Sequence, residues 1–254
     1  DMGVEQMTFY DAGVGTGDLI DRIKGGLFGI GLNENVQDGY RWLAHNYVPG
    51  DEIYVFGYSR GAFTARRLAG FIGWSNGFLR KAALDNLPEL YKRYRQDDAK
   101  VGPGDLLVNP VPVEKIDCVG VWDTVGALGV PTSLFRNWNA SRYQFRDRQL
   151  GPIVRNGFHA IAIDERRGPF EPTLWEAPAD EDLPAGQTIE QAWFPGVHSS
   201  IGGGSEQREL SNIALFWMAE RVGACTGLEF EPAALRRLER NAAGDFADSR
   251  QGAV

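Results

Sequence analysis

The stretch Ile53-Tyr54-Val55-Phe56-Gly57-Tyr58-Ser59-Arg60-Gly61-Ala62-Phe63-Thr64-Ala65-Arg66-Arg67-Leu68-Ala69-Gly70-Phe71-Ile72 joins an apolar, β-branched and aromatic run to an alanine-rich helical run through Gly-x-Ser-x-Gly. Strand, sharp turn and helix, in that order, are what a nucleophile elbow requires. Such a turn forces the serine into a strained backbone conformation, so small residues are expected two positions away on each side. Gly57 and Gly61 supply them. The helix that follows directs its N-terminal N–H groups and the positive end of its dipole toward negative charge developing beside Ser59. Gly-x-Ser-x-Gly by itself also describes an ordinary βα turn; the strand before it and the helix after it favour the elbow.

Outward from this segment, strand-like and helix-like runs alternate, the pattern of a mainly parallel sheet with helices on both faces. Met7 to Tyr10 reads as a strand ending in the glycine-rich loop Asp11 to Gly17. From Asn33 as N-cap, Val36, Tyr40, Leu43, Ala44 and Tyr47 recur at helical spacing until Pro49-Gly50-Asp51 stops the helix. Ile53 to Phe56, Ile116 to Trp122, His159 to Ile163 and Ala192 to Phe194 read as further strands, and Leu210 to Val222 as a helix. The polar stretches Leu79 to Asp105 and Phe135 to Arg148 are the natural places for irregular cap insertions over a site.

A chain of 254 residues with 43% hydrophobic content suits one large α/β domain, here residues 1–254. The net charge of −8 argues against a nucleic-acid partner. The pairs Arg66-Arg67, Arg166-Arg167 and Arg236-Arg237 read as solvated faces, and Cys118 and Cys225 as buried thiols without a disulfide. No run is long and apolar enough to span a bilayer, and the first residues carry neither a basic region nor an apolar signal core. The expectation is a soluble protein, cytoplasmic or delivered by secretion without a visible signal peptide. Its oligomeric state is not written in the sequence. Neither Asp11 to Thr16 nor Gly202-Gly203-Gly204 is followed by the Lys-Ser/Thr pair of a phosphate loop, so nucleotide binding is a weak reading.

A serine hydroxyl needs a base within hydrogen-bond reach and an acid to orient that base. Only three histidines exist. His45 lies on the helix that ends at Pro49, and His159 begins an apolar strand, where a structural histidine is the commoner reading. His198 follows a strand, in a glycine-rich loop where an open α/β sheet presents functional groups, and is the best base. Asp123 ends the most apolar strand and could reach an imidazole across the top of the sheet; Asp164 and Glu165 also end a strand and compete for the role. The order Ser59, Asp123, His198 favours Asp123, because it reproduces the Ser-Asp-His order of α/β-hydrolases.

The segments Phe9 to Thr16, Gly57 to Ala62, Gly120 to Gly126, His159 to Glu165 and Trp193 to Ser199 together resemble the successive motifs of the α/β-hydrolase domain that forms the catalytic part of type VI secretion phospholipase effectors of the Tle type. The resemblance implies an α/β-hydrolase fold and a triad of Ser59, Asp123 and His198 acting on carboxylic esters, lipid esters among them, through an acyl-enzyme. No metal or organic cofactor is expected, and transient contact with a membrane surface is. The backbone N–H groups of Arg60 and of Gly13, in the loop Asp11 to Gly17, would hold the oxyanion; Asp11 would touch substrate, and the Arg60 side chain would either touch substrate or, the favoured reading, form a salt bridge with a nearby acid. Two departures stand out. The family usually opens with a strand ending in an Asp-Gly-Thr type loop, so an N-terminal strand segment is expected to be lacking. Ser200 stands where the family tends to carry an acid. Both features favour the alternative, a catalytically weak binding or toxin-associated module on the same fold.

Overall fold

In the sheet, parallel neighbours cannot be joined by tight turns, so a long connection separates each strand from the next. The structure, a computed structural model, describes residues 5–13, 28–96, 103–106, 109–125, 149–176, 183–203 and 207–244. Among these residues the strands are β1 (Tyr54–Tyr58), β2 (Ile116–Trp122), β3 (Val154–Ala162) and β4 (Thr188–Phe194). They lie in the order β1-β2-β3-β4 and pair entirely in parallel, with Val55 opposite Val119, Val121 opposite His159 and Ile161 opposite Trp193. All four C-terminal ends therefore open on the same edge of the sheet, the edge on which such folds build their sites.

The helices are α1 (Phe28–Asn46), α2 (Arg60–Ser75), α3 (Leu87–Gln96), α4 (His198–Gly202), α5 (Glu209–Cys225) and α6 (Pro232–Arg236). Because side chains alternate across a strand, β2 sends Val119 and Val121 into one core and Cys118 into another. The first core holds Val36 and Tyr40 of α1, Ala65, Leu68 and Ile72 of α2, and Leu90 and Tyr94 of α3. On the opposite face Phe158 and Ala160 of β3 meet Ala214, Met218 and Val222 of α5 and Ile201 of α4. β2 is buried along almost its whole length, as an interior strand covered by helices on both faces should be.

Several expectations are corrected. Met7 to Tyr10 is not a strand: the segment is exposed and outside the sheet, and Phe9 rests against Trp42 of α1. A short, mostly apolar run forms a strand only when a neighbour takes up its backbone bonds. The first part of the supposed cap, residues 79–96, belongs to the core, because Leu84, Leu87, Leu90, Tyr91 and Tyr94 recur at helical spacing and are all buried. Residues 135–148, the second stretch expected to form a cap, lie outside the described residues. Arg66 and Arg67 are buried. Arg66 donates to the carbonyls of Thr173 and Leu174 and lies over the Trp175 ring, and Arg67 lies over Phe63. Cys225, at the end of α5, is exposed; Cys118 is buried, and burial pushes its thiol up to about 12. His159 sits in the middle of β3, since the strand starts five residues earlier, at Val154.

Candidate active site

The elbow forms because β1 must turn into α2 with no intervening loop. Ser59 takes up the turn at φ 56° and ψ −115°, a conformation that L-residues rarely adopt. Its N–H donates to Trp122 O at 2.9 Å, tying the turn to the end of β2. The crowding falls on one glycine only. A Cβ on Gly57 would lie 2.1 Å from Gly61 O, whereas a Cβ on Gly61 would meet nothing within 4 Å among the described residues. The expectation that both glycines make room is therefore half right: the helix backbone folds back over Gly57, and Gly61 faces open space.

Asp123, the first residue past β2, also has a left-handed backbone, with φ 42°. Its N–H donates to Ala160 O at 2.7 Å, and its Oδ1 accepts the Ala162 N–H at 3.0 Å. Its Oδ2 lies 2.6 Å from His198 Nδ1. The other ring nitrogen, His198 Nε2, is 2.8 Å from Ser59 Oγ. Asp123 and His198 are buried while Ser59 is half-buried, so the chain of contacts runs from the interior outward. The three residues that the sequence nominates thus meet at the C-terminal ends of β1, β2 and β4.

The His198 ring is held on two sides, by Tyr58 at 4.8 Å and by the edge-on Phe170 at 4.8 Å. Tyr58 also donates from its hydroxyl to His198 O at 3.1 Å. Burial, with the Asp123 charge beside it, raises the Tyr58 phenol above its ordinary value. A Cβ on Gly202 would fall 2.2 Å from the Tyr58 ring, so α4 needs glycine there to accept that ring.

Asp164 and Glu165, the rival acids, support the histidine's backbone. Asp164 Oδ2 accepts the Gly196 N–H at 2.8 Å, and Glu165 Oε2 accepts the His198 N–H at 3.3 Å. Arg167 grips Glu165 through Nε and Nη2, both at 2.9 Å, and its guanidinium lies over Phe170. The pair Arg166-Arg167 is therefore not simply a solvated face: Arg166 is exposed, but Arg167 belongs to this brace. Sequence reasoning missed the support by Tyr58, Glu165 and Arg167. Their only signal is adjacency, Tyr58 to Ser59 and Glu165 to a strand end.

Arg60 begins α2 at the elbow, and burial lowers its guanidinium from the ordinary value. Asp11 and Gly13 are exposed, and Asp11 Oδ1 accepts the Gly13 N–H at 2.6 Å. That turn of the loop on itself engages the very N–H expected to face an oxyanion, because an aspartate readily bonds the backbone two residues on. Ser200 is buried against Gly196, and its N–H donates to Val197 O at 2.9 Å. His45 is exposed on α1. Phe78 belongs to the core and Trp74 packs against that core, while Phe170 reaches the histidine. Among the described residues no group of three or more His, Cys, Asp or Glu side chains could ligate a metal ion, and no helix is long and apolar enough to cross a membrane.

An uncharacterized protein of Saccharomyces cerevisiae, YEL023C, is 27% identical over 198 residues, which are 66% of this chain and 27% of that protein. The chain thus spans about a quarter of the length of the curated relative it matches. The family model of the type VI secretion phospholipase effector Tle1-like catalytic domain matches residues 1–221, far more than half of the sequence, and the chain therefore belongs to the Tle1-like catalytic domain family.

Proposed function

We propose that this chain hydrolyses carboxylic esters of phospholipids through an acyl-enzyme on Ser59. The observation that carries the reading is the His198 ring, with Nδ1 2.6 Å from Asp123 and Nε2 2.8 Å from a serine hydroxyl on a strained elbow. Ser59 Oγ attacks the ester carbonyl as His198 Nε2 takes its proton; the tetrahedral oxyanion collapses, and His198 returns the proton to the departing alkoxide. Water repeats the sequence on the acyl-enzyme and releases the fatty acid. Asp123 keeps the proton of the resting imidazole on Nδ1 and stabilises the imidazolium. The N–H of Arg60, at the first position of α2, is one donor to the oxyanion, where each such donor lowers the barrier by about 3 kcal/mol. The lipid class of the substrate comes from the family.

The alternative, a binding module on a hydrolase fold, draws support from the Gly13 N–H, which is engaged by Asp11 and not offered as a second donor. One experiment separates the two. A serine-directed fluorophosphonate should label the chain, and Ser59→Ala and His198→Ala should abolish both labelling and hydrolysis of phospholipid vesicles and of short acyl esters. Absence of labelling and turnover in the folded wild-type chain would reject the hydrolase reading.

A further inference from the structure

We infer that His159 is a positioning residue for this site: by accepting the Thr124 N–H it holds the Asp123–Thr124 peptide in the one orientation that aims the Asp123 carboxylate at His198. The inference rests on the proposed role of Asp123.

Asp123 needs holding because a non-glycine residue at φ 42° stays there only where its surroundings over-determine it. On its N-terminal side, β3 supplies the Ala160 carbonyl and the Ala162 N–H. On its C-terminal side, the Thr124 N–H donates to His159 Nε2 at 3.1 Å and Thr124 O accepts the Thr173 N–H at 2.7 Å. A ring nitrogen that accepts carries no proton, so the His159 proton resides on Nδ1, which faces Gln191 Oε1 at 3.3 Å. Gln191 in turn clamps Trp175, accepting its N–H at 2.8 Å and donating from Nε2 to its carbonyl at 2.9 Å. The Trp175 ring stands edge-on to His159 and lies beneath Arg66, whose guanidinium holds the Thr173 and Leu174 carbonyls. Reversing the imidazole breaks two of these bonds at once, and reversing the Gln191 amide breaks three.

His159 is fully buried and stays neutral; burial, with Arg66 beside it, lowers its pKa to about 3. A side chain needed only to fill space between β2 and β4 would be apolar. This one places its single acceptor against the peptide that follows the acid.

The test compares His159→Gln, whose Oε1 can accept the Thr124 N–H, with His159→Met, which has similar bulk and no such acceptor. The readouts are kcat, KM and the acid limb of the kcat/KM pH profile on a short-chain p-nitrophenyl ester. His159→Met should lower kcat roughly 10- to 100-fold with little change in KM, since misplacing a catalytic group by an ångström costs that much. It should also move the acid limb of the kcat/KM profile to lower pH, as a poorly aimed carboxylate stabilises the imidazolium less. His159→Gln should restore most of both. A folded His159→Met with unchanged kcat and acid limb would overturn the inference. If His159→Met does not fold, Gln191→Leu takes its place: it frees the imidazole tautomer and should lower kcat and move the same acid limb, and an unchanged kcat and acid limb overturn the inference. Asp123→Asn serves as the reference. Full activity in that variant would bring down the reading of Asp123 and the inference with it, whereas a dead Asp123→Asn beside an unaffected His159→Met would bring down the inference alone.

Discussion

Asp123 makes different use of its two oxygens: Oδ1 takes the Ala162 N–H and Oδ2 faces His198 Nδ1. Asp123→Asn can keep the first bond and must spoil the second, because an amide NH₂ turned toward Nδ1 favours the tautomer whose Nε2 carries the proton and cannot accept one from Ser59. We expect a folded variant with activity reduced on the order of 1,000-fold or more, checked by ester hydrolysis and circular dichroism. Tyr58→Phe is a milder change. It removes the bond from the hydroxyl to His198 O but keeps the ring against the imidazole. Stability should fall by about 1 kcal/mol in urea unfolding, and kcat by a few-fold. Ser59, Asp123 and His198 were legible at this scale because each follows a strand and few histidines compete. Tyr58, Glu165 and Arg167 were not, since a side chain that steadies another carries no mark of its own in the chain.

The unit of β1, elbow and α2 separates two glycines that look alike in Gly57-Tyr58-Ser59-Arg60-Gly61. Gly57→Ala drives a methyl group to 2.1 Å from a backbone oxygen that cannot move without unwinding α2. The expected loss is roughly 3 kcal/mol with collapse of activity. Gly61→Ala places its methyl in open space within the first turn of α2, where alanine is the better helix former, so stability should hold or rise by up to about 1 kcal/mol. Equal losses in the two variants by denaturant unfolding would contradict this account. The strands were legible where the apolar run was unbroken, as in Ile116 to Trp122, which matches β2 end to end. Their starts were missed where polar residues intervene: β3 includes Arg155 and Asn156, and β4 begins with Thr188 and carries Glu190 and Gln191. Those side chains serve the edges and the buried relay, which periodicity alone does not distinguish from loop.

For the molecule as a whole, a parallel sheet wrapped on both faces buries groups that a chain in water would ionise, and His159 is the clearest case. Its folded pKa of about 3 lies below the ordinary 6.5, with Arg66 and the Gln191 amide facing the ring. Between those values the unfolded chain binds a proton that the folded chain does not. Stability from this group is therefore complete above pH 6.5 and falls as pH drops toward 3, by roughly 1 kcal/mol per pH unit. Urea unfolding between pH 7.5 and 5 should show wild type losing more stability than His159→Gln, and parallel curves would refute the assignment. By itself the sequence determined the alternation of strands and helices, the elbow at Ser59 and the chain order of the three polar residues. These are local matters of hydrophobic period and turn chemistry. Only the tertiary structure decided that Arg66 and residues 79–96 belong to the core, that Gly57 alone is crowded, and that Gly13 turns back on Asp11. It also decided that Asp123, and not Asp164 or Glu165, faces the imidazole. The physical reason is that parallel pairing brings the ends of strands dozens of residues apart to one edge, and which side chain points across that edge depends on register and backbone handedness set by partners far away in the chain.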